Sequence, residues 1–233
     1  MTTPPSDHHR CNDCGYPLKG LAMGDDCPEC GRSVARSLQG ARAGSAWQRS
    51  FSVGETEVAA FVHTLEIWED VRPERAFRSF VLLVLCCFAS GVVVGVSWLL
   101  GGPQTGVWKP VQGLVVTLMV SCGLVALSLP EACGLSFIGW RRGGARTPEH
   151  VLAVVAHASP GWLTGSVLVA LVWQVLQRLP GMFTARGFDV FGLFRVGDGW
   201  PVWVCVIACG GVGLLWFESL AYRGMLRLRF ASR

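Results

Sequence analysis

The residue pattern predicts an all-α integral membrane protein, a helical bundle of about four spans with a small metal-binding ribbon at its N-terminus. Three observations predict it. The chain of 233 residues is 51% hydrophobic and only 15% charged, where globular proteins carry about 25% charged residues. The charge is also uneven: the first third is polar, and the rest is apolar with short charged breaks. Finally, four of the ten cysteines sit at C-x2-C-x12-C-x2-C spacing near the N-terminus.

The ribbon comes first in the chain, over residues 1–35. Two residues between Cys11 and Cys14, and between Cys27 and Cys30, let one tight turn aim both sulfurs of a pair at one ion. Gly15 and Gly31 follow the pairs directly, where such a turn calls for a left-handed backbone. Pro28 pre-sets the second turn. Four thiolates complete a tetrahedral shell with no open position, which is the arrangement of a structural zinc ribbon and not of a catalytic centre. Iron is the competing metal, since rubredoxins place similar knuckles on a redox iron. Their knuckles are separated by a longer aromatic-rich stretch, whereas Tyr16 is the only aromatic of this loop, and zinc is the better match. Leu18, Leu21 and Val34 are nearly all the apolar side chains available, so metal binding must supply most of the ribbon's folding free energy.

Over residues 1–50, six basic side chains face five acidic ones. Four thiolates on a divalent ion make the balance about neutral. Nucleic-acid modules show a basic face, so no nucleic acid is expected, and a cytoplasmic protein partner is the better expectation. The first ten residues have neither a basic n-region nor an apolar h-region, which keeps the head in the cytoplasm, where thiols stay reduced. The other six cysteines (Cys86, Cys87, Cys122, Cys133, Cys205 and Cys209) lie in or beside apolar runs and read as small buried hydrophobes.

Residues 36–54 are small, polar and dotted with arginine, the composition of a flexible linker. Residues 55–79 read as an amphipathic juxtamembrane helix. Val58, Phe61, Val62, Leu65 and Trp68 recur at helical spacing opposite Glu55, Glu57, Glu66 and Glu69, with Pro73 interrupting before the first span. Such a helix either lies along the bilayer surface or packs on the rest of the protein.

The transmembrane domain is read over residues 80–220, with spans at about 80–100, 111–129, 151–177 and 201–219. The third run is interrupted at His157–Gly161, and is either one kinked helix or a short surface helix leading into a span from Pro160; five elements then become an alternative. Sixteen of the twenty Lys and Arg side chains fall before Phe80, in the loop 141–146 or from Arg223 onward. The positive-inside rule therefore puts both termini in the cytoplasm, 221–233 being a basic tail. Gly91-x3-Gly95 and Gly161-x3-Gly165 are close-packing motifs, for use within the chain or in a homo-oligomer. Phe183, Phe188, Phe191, Phe194 and Trp200 read as an interfacial aromatic belt.

No H-E-x-x-H, G-x-S-x-G, P-loop or dinucleotide fingerprint is present. The remaining polar candidates are Glu131, His157 and Glu218, all expected toward the cytoplasmic face. Their bland reading, a headgroup-boundary position with the polar end solvated, is preferred to a shared site, and only His157 is expected within the hydrocarbon.

Two stretches resemble known families. Cys11, Cys14, Gly15, Tyr16, Leu18, Gly20 and Leu21, closing with Cys27, Pro28, Glu29, Cys30 and Gly31, resemble the ribbon of uncharacterised bacterial multi-pass membrane proteins. Arg72, Pro73, Ala76 and Phe77, with Val154–Pro160, are weakly similar to Yip-family membrane domains. That likeness implies a cytoplasmic N-terminus, about five spans and a role in trafficking or scaffolding. His157 departs from it, standing where an aromatic is common, and no catalytic residue is transferred. The function expected is a non-enzymatic scaffold whose ribbon meets a protein partner, against the alternative of a small transporter or permease component built on the polar cluster.

Overall fold

The computed structural model of the protein describes residues 9–11, 14–37, 43–64, 67–101, 108–141, 147–178, 188–190, 194–196 and 200–228. The described chain is mostly helical: α1 (Val34–Ser37), α2 (Ala46–Ser50), α3 (Val53–Val62), α4 (Ile67–Asp70), α5 (Ala76–Gly101), α6 (Lys109–Arg141), α7 (Pro148–Ala158), α8 (Pro160–Arg178) and α9 (Trp200–Arg227). Between α8 and α9, β1 (Phe188–Val190) pairs antiparallel with β2 (Phe194–Val196), Asp189 opposite Arg195. This short hairpin is an addition to the all-α expectation. The aromatic belt expected around it lies outside the described side chains.

Among the described residues, three stretches are long and apolar enough to cross a membrane: Ala76–Gly101, Lys109–Phe137 and Pro148–Leu176. The fourth expected run is the helix α9. The third is resolved into α7 and α8, meeting at Ser159 in right-handed helical conformation (φ −59°, ψ −19°). Pro160 has no N–H for the Ala156 carbonyl, and the Ser159 hydroxyl donates to that carbonyl instead, at 2.6 Å.

By internal contacts the chain divides into two units. In the unit of Cys86–Leu124 and Gly161–Trp216, small and hydroxyl residues make the helix contacts. A methyl group added at Gly91 would meet Ser121 Oγ at 2.1 Å and the Thr117 carbonyl at 2.4 Å, and one at Gly165 would meet the Cα of Gly213 at 2.9 Å. Both glycine motifs are thus used within the chain. Ser97 Oγ donates to the Ala170 carbonyl, Gln174 Nε2 donates to the Ser97 carbonyl at 2.8 Å, and Trp98 stacks on Trp173. The large apolar side chains of α6 point the other way: Leu114, Leu118, Met119, Leu127 and Leu129 are exposed, while Gly113, Thr117, Ser121 and Ser128 are buried. Cys86 and Cys87 are buried as expected, but Cys122 and Cys133 are exposed on α6 and Cys209 on α9 is half-buried; the side chain of Cys205 lies outside the described residues.

The other unit, Met1–Leu85, Val125–Pro160 and Phe217–Arg233, corrects three expectations. The linker is not flexible over its second half: residues 43–50 carry a capped helix with Trp47 and Gln48 buried. Ser45 accepts from Gln48 N, and the Gln48 side chain accepts from Ser45 N, a capping box that satisfies two otherwise orphaned donors. The single juxtamembrane helix over 55–79 is instead α3, α4 and the start of α5. It breaks after Val62, where His63 leaves helical conformation (φ −116°, ψ 45°), and again before Pro73, which cannot continue α4. Lastly, the basic tail is helical as far as Arg227. Gly224 of α9 lies against the buried Trp68 ring, where an added methyl would come within 2.7 Å, and Arg223 donates to Thr64 Oγ1 at 3.0 Å. α6 likewise runs past its expected end at Leu129, continuing through Pro130 to Arg141.

Gly91→Ala is expected to lower the unfolding midpoint of the full chain in detergent, with a loss of about 1–3 kcal/mol from overpacking. Gly123→Ala, where nothing lies within 4 Å of an added methyl, is expected to leave the midpoint in place. Equal effects of the two would contradict the close approach of α5 and α6 at Gly91.

Candidate metal centre and the buried polar network

Each C-x2-C pair is held by the same backbone pattern. Gly15 N donates to the Cys11 carbonyl at 2.9 Å, and Gly31 N donates to the Cys27 carbonyl at 2.8 Å. Cys11 N donates to the Tyr16 carbonyl and Cys27 N to that of Arg32, while Leu18 N reaches the His9 carbonyl and Val34 N that of Asp25. Gly15 and Gly31 adopt φ of 79° and 70°, the left-handed turn that the sequence calls for. The two knuckles are therefore copies of one unit. Each presents a cysteine and, seven positions on, an apolar side chain, Leu18 or Val34, to a shared core of Cys11, Leu18, Cys27 and Val34. That repeat was visible in the sequence as C-x2-C-G followed by an aliphatic residue at fixed distance.

The four Sγ atoms lie within 4.8 Å of one another. Cys11 and Cys30 sulfurs are 3.4 Å apart, and those of Cys14 and Cys27 3.5 Å. A four-thiolate shell with metal–sulfur bonds of about 2.3 Å has edges of about 3.8 Å, so the cluster fits one tetrahedral ion with little adjustment. Such an ion would be held by Cys11, Cys14, Cys27 and Cys30 and would supply the cross-link between the two knuckles. Sequence reasoning missed a fifth participant: Ser37, at the end of α1, is buried and its hydroxyl donates to Cys11 Sγ at 3.7 Å. A hydrogen bond to a ligand sulfur orients it and spreads its charge. Burial, reinforced by the neighbouring thiols, pushes the Cys14 thiol up to about 12, and Cys30 is raised for the same reason. Without a cation these groups stay protonated, and a cation must displace the protons to bind.

Of the three polar candidates, two meet. The carboxyl of Glu131, on α6, interacts with that of Glu218, on α9. His157 does not join them in any recorded contact, and it is neither solvated nor snorkelling: it is fully buried. Its Nδ1 donates to the Ala153 carbonyl at 2.8 Å, which leaves Nε2 as an acceptor for the Ser45 hydroxyl, also at 2.8 Å. The Trp68 ring meets the imidazole edge-on at 6.2 Å. A serine hydroxyl on a histidine nitrogen is half of a nucleophile–base arrangement. Here both side chains are enclosed, Ser45 being only 3% exposed, so the pair joins the former linker to α7 and does not present a nucleophile.

The same network reaches α5. Gln48, fully buried, donates from Nε2 to the Arg72 carbonyl and accepts at Oε1 from Arg72 N, each at 2.8 Å. Trp47 N donates to Thr56 Oγ1 at 2.8 Å and Trp47 Nε1 to the Arg78 carbonyl at 2.6 Å. Arg75 and Arg78 both donate to the Gln48 carbonyl at the end of α2. None of Ser45, Gln48 and Thr56 carries a motif, and only the Ser-x-x-Gln capping signature of Ser45 and Gln48 was there to be read.

Fold and centre together define a helical protein with three helices long and apolar enough to span a membrane and a four-cysteine cluster able to hold a metal ion. No protein-family model matches the chain, and no curated protein or solved structure matches it.

Two outcomes follow from these geometries. Ser45→Ala should cost about 1–3 kcal/mol, because it removes a helix cap and leaves His157 Nε2 buried without its donor. Thermal unfolding of the full chain reads this, with the exposed Ser50→Ala as a control expected within about 0.5 kcal/mol of the parent. Metal affinity should fall as pH falls, by about tenfold per pH unit for each proton displaced, since the thiols bind only as thiolates. Chelator competition from about pH 8 to about pH 6 measures it, and a flat profile would exclude thiolate ligation.

Proposed function

We propose that the protein is a non-enzymatic integral membrane scaffold of four spans, its termini cytoplasmic, whose ribbon binds a structural zinc and meets a cytoplasmic protein partner. The observation that carries this reading is the closed cluster of Cys11, Cys14, Cys27 and Cys30: every position of a tetrahedral shell is taken by a sulfur, leaving none for a substrate. Zinc is favoured over iron by the single aromatic in the loop between the knuckles.

A ribbon of this size has little to offer except its surface. Around the second knuckle Asp25, Asp26, Pro28, Glu29 and Cys30 are exposed, and across the first Pro17 and Lys19 are. That mixture of signs suits a protein contact better than a phosphate backbone. The scaffold role implied by the Yip-like stretches accords with this arrangement. The inverted faces of α6, small residues inward and leucines outward, support lipid as its surroundings, as do the three apolar stretches; α9 is taken as the fourth span by analogy of length. Transport is the weaker alternative. His157 is committed to Ser45 and Ala153, which leaves the Glu131–Glu218 pair without the third polar group of the expected cluster.

Full-length protein purified in detergent should contain a single zinc per chain, and pull-down should recover partners that a Cys27→Ser, Cys30→Ser version loses. Recovery of the same proteins by both versions would remove the ribbon as the recruiting surface. Stoichiometric iron with a visible absorption band would remove zinc.

A further inference from the structure

Helix α3 is turned inside out. It packs through Thr56 and Ala60, both buried, while Val58 and Val62, one turn apart on the opposite side, are 60% and 68% exposed, with Phe61 beside them at 45%. The sequence pattern leaves open whether the apolar face packs inward or lies along a bilayer; in the fold it does not pack inward. Thr56 is drawn inward because its hydroxyl takes the Trp47 N–H, a donor that α2 cannot satisfy itself. Once Thr56 faces in, the helical period turns Val58 and Val62 out.

The start of α3 is also tied to the helix that enters the apolar zone. Arg78 lies over the Phe51 ring at 4.4 Å, Trp47 Nε1 bonds the Arg78 carbonyl, and Trp47 meets Phe51 edge-to-face at 5.2 Å. The outward side of α5 continues the same apolar character, with Phe77, Phe80, Val84 and Leu85 all exposed. In water so many exposed apolar side chains on α3 and α5 would be unfavourable. In a bilayer they are what an in-plane helix beside a spanning helix presents.

We propose that the Val58–Val62 stripe of α3 is a membrane-docking surface, inserted at the headgroup–acyl boundary of the bilayer that α5 enters. The inference rests on the membrane reading given above and adds to it a second, non-spanning contact with lipid. The chemistry of that contact is apolar insertion. Helix α3 carries Glu55 and Glu57 and no lysine or arginine, so attraction to anionic headgroups does not drive it.

The test places the photo-crosslinking side chain benzoylphenylalanine at Val62 and, in a second protein, at Phe88 within α5. Each full-length variant is reconstituted into vesicles of phosphatidylcholine alone and of phosphatidylcholine with phosphatidylglycerol. Mass spectrometry after illumination should find phospholipid adducts at both positions in both vesicle types. Lipid adducts at Phe88 with none at Val62, or crosslinks from Val62 to a second copy or another protein, would overturn this docking surface while leaving the membrane reading in place. Dependence of the Val62 adduct on phosphatidylglycerol would overturn apolar insertion. Absence of lipid adducts at both positions would overturn the membrane reading itself. Should the Val62 variant fail to accumulate, the same substitution at Val58 carries the same test.

Discussion

The unit around α2 depends on one interaction, the closure of the Gln48 amide on both backbone groups of Arg72. Pro73 stops α4 from running on into α5, and the residue before a proline is pushed out of the helical region. The chain turns there, with the Arg72 carbonyl accepting from Arg75 N at 3.2 Å. A primary amide offers one acceptor and donors in fixed geometry, so Gln48 can pair with both backbone groups of Arg72 at once. Everything near it follows from holding Gln48 in place. Its own N–H is capped by Ser45, Ser45 is held by His157, and its carbonyl is covered by Arg75 and Arg78. Breaking one member leaves another buried polar atom unsatisfied, which makes the network collectively stiff.

This requirement also explains why the region departs from the simple amphipathic pattern. Where water is the solvent, polar groups turn outward. Here Ser45, Gln48, Thr56, Ser79 and His157 are buried, and valines and phenylalanines of α3 and α5 are exposed. α6 shows the same inversion with different residues, Thr117 and Ser121 inward and leucines outward. In hydrocarbon the apolar side chains gain nothing by hiding, and helices associate through close backbone approach and hydroxyl contacts. Gly91 against Ser121 and Gly165 against Gly213 are that approach.

The ribbon obeys a different constraint. It has too few apolar side chains for a core, so two equivalent turns converge on four sulfurs and a small core of Leu18 and Val34. The four sulfurs lie close enough for one cation, taken up by thiolates, to cross-link the two turns. Ser37 extends the centre into α1, so the segment leaving the second knuckle is part of the metal site.

The four-cysteine cluster, the glycines of both knuckles and the apolar helices were legible from sequence alone because each rests on local chemistry. C-x2-C-G encodes a turn and its ligands within five residues, and a long uncharged run encodes a helix wherever it packs. What tertiary structure decided is which polar residues those helices enclose. Ser45 and His157 are 112 positions apart, and Gln48 lies 24 positions from the backbone it completes. Neither spacing has any period or motif. A composition of small residues and arginine reads as a linker because most such segments find no partner. This one is ordered because Gln48 closes on both backbone groups of Arg72 and Ser45 on the His157 ring.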